Sequence, residues 1–571
     1  VLARNQMTYK VVAGLIAFVL GYVGWMIERP PTEANGGGLA YVNNLFRTFQ
    51  LLTLNFPGEI DKDINLALQI ARFLVPITAA LTTFHLVVGG IARPVRMALM
   101  PWTHGHIIIC GNERLTQGAL EALASRNRDV VFVAPKVDAT RREVMEGQGI
   151  TVLEADPLVP VTFDQINVAR ASKLFLTYDD DTKNLDIAMV ALDRVRKRPK
   201  DLPPLTIAAI ITREDLARGI DVALDDLARA KQARYVRLIP EREGVRLELA
   251  KYAPAFAKRP DEQSLIFVYG LSGQWQQTLM QLIIAGQDHP TLKPRLVLNV
   301  SAAEKDAFTL WKAEWPELDL IADFDVQVGT RNMLLPPEDP ALAPHLLVVM
   351  GEDADAMEMV FRLRSARAPA ALQKAPIILR RAEPDQFFSR SSVTVDHHVE
   401  LKRIGTFGPY IRAETIEQLL DENTESIART LHNQYLENVE PEKRGTSEAL
   451  KPWSETAENF RRANRAVADH APILLAGVGY RMERTADGRT FAPDAALMET
   501  LARIEHGRWV ANRIDNGWRY GEVRDDRARL HPCLKPYDEL SREVQLNDAH
   551  AVASLLRALQ STGWRVVKLE A

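Results

Sequence analysis

The apolar positions of the chain follow three successive patterns. Val11 to Ile27 (VVAGLIAFVLGYVGWMI) is an uncharged run of 17 residues, the short end of what crosses a bilayer as a helix. Phe73 to Ala92 continues for 20 residues without Asp, Glu, Lys or Arg, and as a helix covers about 30 Å. Between them, Ala40 to Leu54 is amphipathic and too short and polar to cross, and Phe56-Pro57-Gly58-Glu59 breaks any helix that precedes it. From His106 onward the pattern changes to short apolar runs alternating with helical stretches. His106 to Cys110, Val130 to Val133, Ile150 to Leu153, Leu174 to Thr177, Leu205 to Ile211 and Tyr235 to Ile239 read as strands at βαβ spacing. A second pass follows: Leu265 to Gly270, Leu296 to Val300, His345 to Met350 and Pro376 to Leu379. These predict two doubly wound parallel sheets in tandem. Beyond about Ile404 the strand signal fades and helices dominate: Ala413 to Leu420, Glu425 to Glu437, Thr456 to Asp469, Asp494 to Asn516 and Leu546 to Leu559.

Span, half-helix, turn, span is the pattern of a pore, because non-helical backbone at membrane depth is tolerated only inside protein or against water. An ordinary loop between two spans is the bland alternative. A cleaved signal peptide is a further reading of the first run, although Trp25 and Met26 stand where a small-residue cleavage site belongs. Arg4 and Lys10 before the first run, Arg93 and Arg96 after the second, and Glu28, Glu33, Glu59, Asp61 and Asp63 between them place both ends in the cytoplasm. Val1 is not an initiator methionine, and an earlier span would invert that orientation.

Composition narrows the classes. At about 150 residues per domain, 571 residues correspond to several domains. The 47% hydrophobic and 25% charged content fits a chain that is mostly water-soluble. A formal net charge of −4 gives no electrostatic reason for nucleic-acid binding. Two cysteines, Cys110 and Cys533, make no disulfide framework, which favours a reducing compartment for the bulk of the chain. His470, His506 and His531 lack paired ligand spacing, so no metal site is expected.

The first segment resembles the two-helix core of the potassium-channel superfamily, with Thr53, Leu54, Asn55, Phe56 and Glu59 overlaying its filter and outer mouth. Asn55 and Pro57 replace glycines whose backbone freedom aims the carbonyls at the ion, so the resemblance implies cation conduction without the usual potassium selectivity. Residues 104 to 240 resemble the regulator-of-conductance (RCK, or TrkA-N) domain through HIIICGN at 106 to 112, EADP at 154 to 157, and Leu174 to Asp181 with Asn184. That family implies a nucleotide or ion pocket, here at Gly111, Asn112, Asp156, Asp179, Asp180 and Asn184. The dinucleotide fingerprint is broken: Gly111 to Thr116 lacks the later glycines, and Ala134-Pro135 stands where a ribose-binding acid belongs. In the second repeat Gly270 and Gly273 remain, but the end of Leu296 to Val300 carries no acid, which reads as scaffold. No catalytic base or nucleophile stands out, and an enzyme is not expected.

The C-terminal segment resembles the RyR domain, the ryanodine-receptor repeat, through Trp453, Phe460 to Arg465, Ile504 to Trp509, Arg513, Asn516 to Gly521, His531 to Tyr537 and Leu540. Glu505, Trp509 and Arg513 lie four apart on one helix face, and Asn516-Gly517 ends that helix ahead of Trp518 and Tyr520. With His531 and Tyr537 they form either a pocket that stacks a purine and pairs its phosphate, or the core of a helical domain held by a Glu505–Arg513 bridge.

The expected architecture is therefore multidomain. A two-helix transmembrane pore-like module occupies 1–103 (spans about 11–27 and 70–92, pore loop 40–59). Tandem α/β Rossmann-like (RCK) domains occupy 104–255 and 262–405, and an all-α RyR-like domain occupies 425–571. Tandem RCK-like domains below a pore are also the arrangement of Castor-like channels, which implies a homotetramer. The expected function is a ligand-gated cation channel of the bacterial inner membrane, with the lipid bilayer and a nucleotide-like small molecule as partners. The rival is a non-conducting, membrane-anchored nucleotide sensor.

Overall fold

The computed structural model describes residues 2–56, 63–126, 128–253, 262–329, 343–365, 368–384, 404–420, 425–437, 439–445, 450–453, 455–456, 458–485 and 491–569. The chain divides into two compact units. One comprises Val1–His104 with Asp138–Val152 and Gln165–Asn167; the other comprises Gly105–Val137, Leu153–Asp164 and Val168–Ala571.

The first unit is built on α1 (Leu2–Glu28), α2 (Ala40–Leu51) and α3 (Leu66–Leu99). Ala17, Trp25, Leu51, Leu68, Ala71 and Val75 pack between the helices, and Phe56 stacks on Trp25 at 5.5 Å between ring centroids. Gly24 sets the closeness of the α1–α3 crossing, since a Cβ there would stand 2.8 Å from the Leu68 backbone nitrogen. Asn65 caps α3 by accepting from the Leu68 N–H at 3.0 Å, and its amide donates to the Gly24 carbonyl at 2.8 Å. Asn44 is fully buried, and its amide donates to the Arg29 carbonyl at 2.9 Å. The outer faces are apolar: Leu15, Ile16, Val19, Val23, Phe46, Phe73, Ile77 and Leu81 are all exposed. Among the described residues, however, no helix is long and apolar enough to cross a membrane.

Two six-stranded sheets follow; all but Ala139–Gly147, the start of the strand Thr151–Glu154 and Gln165 of their elements belong to the second unit. In chain order the first repeat is β1 (Ile107–Gly111), α4 (Glu113–Ser125), β2 (Val130–Ala134), α5 (Ala139–Gly147), β3 (Thr151–Glu154), α6 (Pro160–Gln165), β4 (Lys173–Thr177), α7 (Asp181–Val195), β5 (Leu205–Ile210), α8 (Glu214–Ala230), β6 (Ala233–Leu238) and α9 (Pro240–Lys251). The strand order is β3-β2-β1-β4-β5-β6, parallel at β1–β2, β1–β4, β4–β5 and β5–β6. Ile107 to Gly111, Val130 to Ala134 and Leu205 to Ile210 are buried throughout, as strands covered on both faces require.

The second repeat is β7 (Leu265–Tyr269), α10 (Trp275–Ala285), β8 (Arg295–Val300), α11 (Ala302–Glu314), β9 (Asp323–Val328), β10 (Leu346–Val349), α12 (Asp353–Arg364), α13 (Ala370–Lys374), β11 (Ile377–Arg380) and β12 (Ile404–Phe407). Its order, β12-β11-β10-β7-β8-β9, repeats that of the first sheet. Two of its strands lie outside the sequence reading, and both are edges. β9 reads Asp-Phe-Asp-Val-Gln-Val, with no residue fully buried, and β12 has four residues that include Gly405. The strand signal therefore continues past Ile404, and Phe407 is a wholly buried core residue of the second sheet.

After β12 the chain returns to the first repeat, where the Ile411 N–H donates to the Leu115 carbonyl of α4 at 2.9 Å. There follow α14 (Ala413–Leu420), α15 (Ser426–Glu437), α16 (Glu458–Gly477), β13 (Tyr480–Arg484), α17 (Ala495–Asp515), β14 (Arg519–Tyr520), β15 (Leu530–His531), α18 (Arg542–Ser561) and β16 (Trp564–Lys568). The C-terminal segment is thus mainly helical rather than all-α. β13 and β16 pair antiparallel, and their Tyr480, Met482, Trp564 and Val566 pack against a core that includes Leu555 and Leu559. Strand alternation in so short a pair is masked by Arg and Glu on the opposite face. Ion pairs tie the helical segment to α9: Arg246 meets Asp469 at 2.7 Å and Arg242 meets Asp515 at 3.1 Å.

Two outcomes follow. Phe407→Ala is expected to lower unfolding stability by about 3–5 kcal/mol in chemical denaturation, the usual cost of an emptied core site. His470, buried in α16, is held neutral by burial and the Arg508 charge, which lower its pKa to about 3. The unfolded chain protonates this group first, so its contribution is complete above the ordinary histidine value and is lost as pH falls from about 6.5 toward 3. His470→Met is expected to lose less stability than the parent between pH 7 and pH 4 in parallel denaturation curves.

Candidate functional site

Three places are set by the ends of strands and helices where ligand chemistry is expected. At the first sheet, most of the residues singled out by sequence are spent within the fold. A Cβ on Gly111 would stand 1.8 Å from Thr177 Oγ1, so this glycine serves the β1–β4 approach. Asn112 caps α4 by accepting from the Arg114 N–H at 2.9 Å, and Asp180 caps α7 by accepting from the Lys183 N–H at 3.1 Å. Asp156 accepts from the Leu158 N–H at 3.0 Å. Asn184 is fully buried; it donates to the Tyr178 and Ile210 carbonyls at 2.8 and 2.9 Å and accepts from the Tyr178 N–H at 3.1 Å. Asp181, which the sequence reading passed over, is buried and accepts from the Thr212 and Arg213 N–H groups at 2.9 and 2.7 Å. Only Asp156, Asp179 and Asp180 are exposed among these groups. Tyr178 is buried beside Cys110, and burial pushes both the phenol and the thiol above their usual values. The Lys183 ammonium covers the Tyr178 ring at 3.7 Å.

The equivalent place in the second sheet is open, with a cavity of about 160 Å³. Gly270 has φ +77°, and a Cβ there would stand 2.4 Å from the Met350 carbonyl oxygen. The Glu304 carboxylate accepts from the Leu271 N–H at 2.9 Å, the Ser301 N–H at 2.7 Å and the Ser301 hydroxyl at 2.8 Å. It therefore takes up the strand-end N–H that a Rossmann fold turns toward a pyrophosphate. Asn299 lines the same cavity, is 9% exposed, and has no hydrogen-bond partner for Oδ1 or Nδ2 among the described residues. A carboxylate at the loop and a free amide at the end of β8 suit a neutral donor–acceptor edge better than a phosphate. The sequence signal was the position of Asn299, one residue from the end of the second strand; the missing acid was read as scaffold, although an amide there still offers a donor and an acceptor.

The C-terminal segment contributes a third place. α17 ends at Asp515, and Gly517, at φ +80°, turns the chain so that Trp518 returns beside Arg513. The Arg513 guanidinium lies 5.3 Å from the Trp509 ring and 4.8 Å from the Trp518 ring. His531 meets the same two indoles edge-on at 5.0 and 6.0 Å. Burial and the charges of Arg524 and Arg508 lower the Arg513 pKa to about 10, and burial with Arg513 lowers that of His531 to about 4. His531 Nδ1 accepts from the Cys533 N–H at 3.1 Å, so the neutral ring presents Nε2–H. The expected Glu505–Arg513 bridge does not form, because Glu505 pairs with Arg508 at 2.7 Å one turn earlier. Arg513 thus has no carboxylate at ion-pair distance among the described residues. Tyr537 is a core group under Arg503 and against His506, and Tyr520 is half exposed with no part in the indole cluster.

In the first unit, Thr53 Oγ1 donates to the Gln50 carbonyl at 3.0 Å, Leu54 is exposed with φ 58°, and Asn55 N–H donates to Gln50 at 3.1 Å. Phe56 is an internal anchor on Trp25, while Glu59 lies outside the described residues. Among the described residues no group of three His, Cys, Asp or Glu is placed to hold a metal.

These placements separate structural from ligand-facing roles. Asn184→Ala is expected to cost about 2–3 kcal/mol in denaturation, since it strands three buried backbone groups. Asn299→Leu is expected to leave stability unchanged or raise it by about 1 kcal/mol, because it removes two unpaired polar atoms.

Residues 107–222 match the TrkA-N domain and residues 493–568 match the RyR domain. Solved structures similar to the chain include GsuK bound to ADP, with 15% identity over 73% of this chain and 96% of that chain and a TM-score of 0.30. The GsuK channel bound to NAD has 13% identity over 77% and 87%, with a TM-score of 0.32. The GsuK RCK domain has 13% identity over 57% and 79%, with a TM-score of 0.32. The chain therefore carries a segment similar to TrkA-N (RCK) domains, in tandem with a second sheet of the same order, and a segment similar to RyR domains.

Proposed function

We propose that the protein is a regulatory sensor of a nucleotide-type ligand, not an enzyme. The observation that carries this reading is the Arg513 guanidinium set against Trp509 and Trp518 with no carboxylate at ion-pair distance among the described residues. In this reading a base stacks on the indole pair in exchange for part of the Arg513 and His506 contacts, the guanidinium pairs a phosphate, and a neutral His531 adds one N–H donor. The open second cleft, where the Asn299 amide has no partner among the described residues, offers a further contact for a nucleoside edge. ADP and NAD, the ligands named for the GsuK structures, are the first probes to use. In calorimetry on the full chain, Arg513→Met and Trp518→Ala are each expected to weaken ADP or NAD binding at least about tenfold. Equal affinity of parent and Arg513→Met overturns the reading.

A second reading adds conduction: the first unit forms a cation pore in a bacterial inner membrane, assembled from four chains with the sheets in the cytoplasm. The apolar outer faces of α1 and α3 favour it, since side chains such as Leu15, Val19, Phe73 and Ile77 are exposed in the isolated chain. Because no described helix is long and apolar enough to cross alone, this reading requires self-association in lipid to cover polar positions. Ligand-dependent cation flux from reconstituted liposomes is the expected outcome. Absence of flux at saturating ligand leaves the non-conducting, membrane-anchored sensor.

A further inference from the structure

A cavity of about 360 Å³, a volume in the range of small-ligand sites, lies where three parts of the chain meet. The first repeat brings Glu214 at the start of α8, the second brings Gln274 and Gln277 at the start of α10 and Trp311 and Trp315 at the end of α11, and the C-terminal segment brings Asp515 at the end of α17. Charge does not select an occupant. Glu214 is paired by Arg237 at 2.9 Å and Asp515 by Arg242 at 3.1 Å. At the exposed rim, Asp215 and Glu314 are matched in number by Arg213 and by Arg519, which lies 4.5 Å from the Trp315 ring and donates to the Glu314 carbonyl at 2.6 Å.

Hydrogen bonding does select one, because the unsatisfied groups are all acceptors. The Asp515 side chain is fully buried, and neither Oδ1 nor Oδ2 receives a hydrogen bond among the described residues. Burial raises its pKa although Arg242, Arg462 and Arg237 all act to lower it, so the carboxylate lacks N–H donors rather than counter-charge. Gln277 donates from Nε2 to the Glu214 carboxylate at 3.3 Å, which fixes the sense of its amide and leaves Oε1 buried with no partner among the described residues. Gln274 likewise has a buried Oε1 without one, while its backbone N–H goes to Glu241 at 2.8 Å. Among the described side chains of the lining, no buried donor is left over.

We infer that this cavity binds a flat group with adjacent N–H donors, the edge shared by an alkylguanidine and a guanine base, with Asp515 accepting two parallel N–H bonds and the Gln277 and Gln274 oxygens accepting the rest. A carboxylate matches such a paired edge bidentately, and the indoles of Trp311 and Trp315 give the flat group an aromatic wall. The occupant touches the first repeat, the second repeat and the C-terminal segment at once. The site is separate from the Arg513 cluster and does not rest on the nucleotide reading.

The test uses the full chain with agmatine, guanosine and inosine as probes, followed by calorimetry and thermal unfolding. Saturable binding with a raised unfolding midpoint is expected for agmatine or guanosine, and the tighter of the two identifies the source of the donor edge. Where guanosine binds, inosine, which lacks the 2-amino donor, is expected to bind at least about tenfold more weakly. Asp515→Asn is expected to weaken the bound probe at least about tenfold, and Gln277→Leu, which leaves the Arg242 pair in place, covers the case in which the asparagine variant does not fold. Arg513→Met is expected to bind the same probe within about twofold of the parent. No binding of agmatine or guanosine below about 1 mM overturns the inference, as do affinities that Asp515→Asn and Gln277→Leu leave within about twofold. Inosine equal to guanosine overturns it too, and loss of binding in Arg513→Met assigns the probe to the indole cluster instead.

Discussion

The ion pairs along α9 decide how the parts of the second unit act on each other. Arg242 and Arg246 arise from the first repeat, and Asp515 and Asp469 from the C-terminal helices. Arg412, between the second sheet and those helices, reaches back to Glu248 of the same α9. Asp515 has its carboxylate fully buried, and its pairing with Arg242 offsets only part of the desolvation cost, since burial still raises the Asp515 pKa. Breaking one member leaves a buried charge, which makes α9 a stiff link rather than a sliding contact. A displacement at either end must therefore move α9 or break a pair.

The clefts at the strand ends show the same economy of charge. In the first sheet the caps and the Asn184 clasp turn nearly every polar group toward the backbone, leaving exposed carboxylates at the rim. In the second, Glu304 stands in for an anion against the Leu271 N–H. These carboxylates make both rims negative, whereas Arg513 sits among aromatic rings with Asp526 favouring its charge from beyond ion-pair distance.

Sequence periodicity revealed the two sheets because their central strands, such as Ile107 to Gly111 and Leu346 to Val349, are uniformly apolar. It did not reveal β9 or β12, since an edge strand exposes one side and alternates with polar residues. The aromatic cluster was legible because Trp509, Arg513 and Trp518 follow helix spacing and a glycine stop. Its ion pairing was not, because Glu505 has arginines at both i+3 and i+8, and only packing selects Arg508. Asn299 was missed for a different reason: whether an amide is satisfied depends on neighbours from other strands, which no local pattern encodes. Asp181 was missed likewise, since the N–H groups it accepts from, those of Thr212 and Arg213, lie about thirty residues away and meet it only when β4 and β5 are side by side.

The return of the chain from the second sheet to α4 bears on how the protein is made. The backbone bond from Ile411 to Leu115 joins positions roughly three hundred residues apart. During synthesis the first sheet emerges and pairs its strands long before that covering segment exists. Its α4 surface stays bare until the ribosome has passed the whole second repeat. At a few to about twenty residues per second, that interval is tens of seconds, during which the nascent first repeat is open to chaperones or to the equivalent segment of a neighbouring chain.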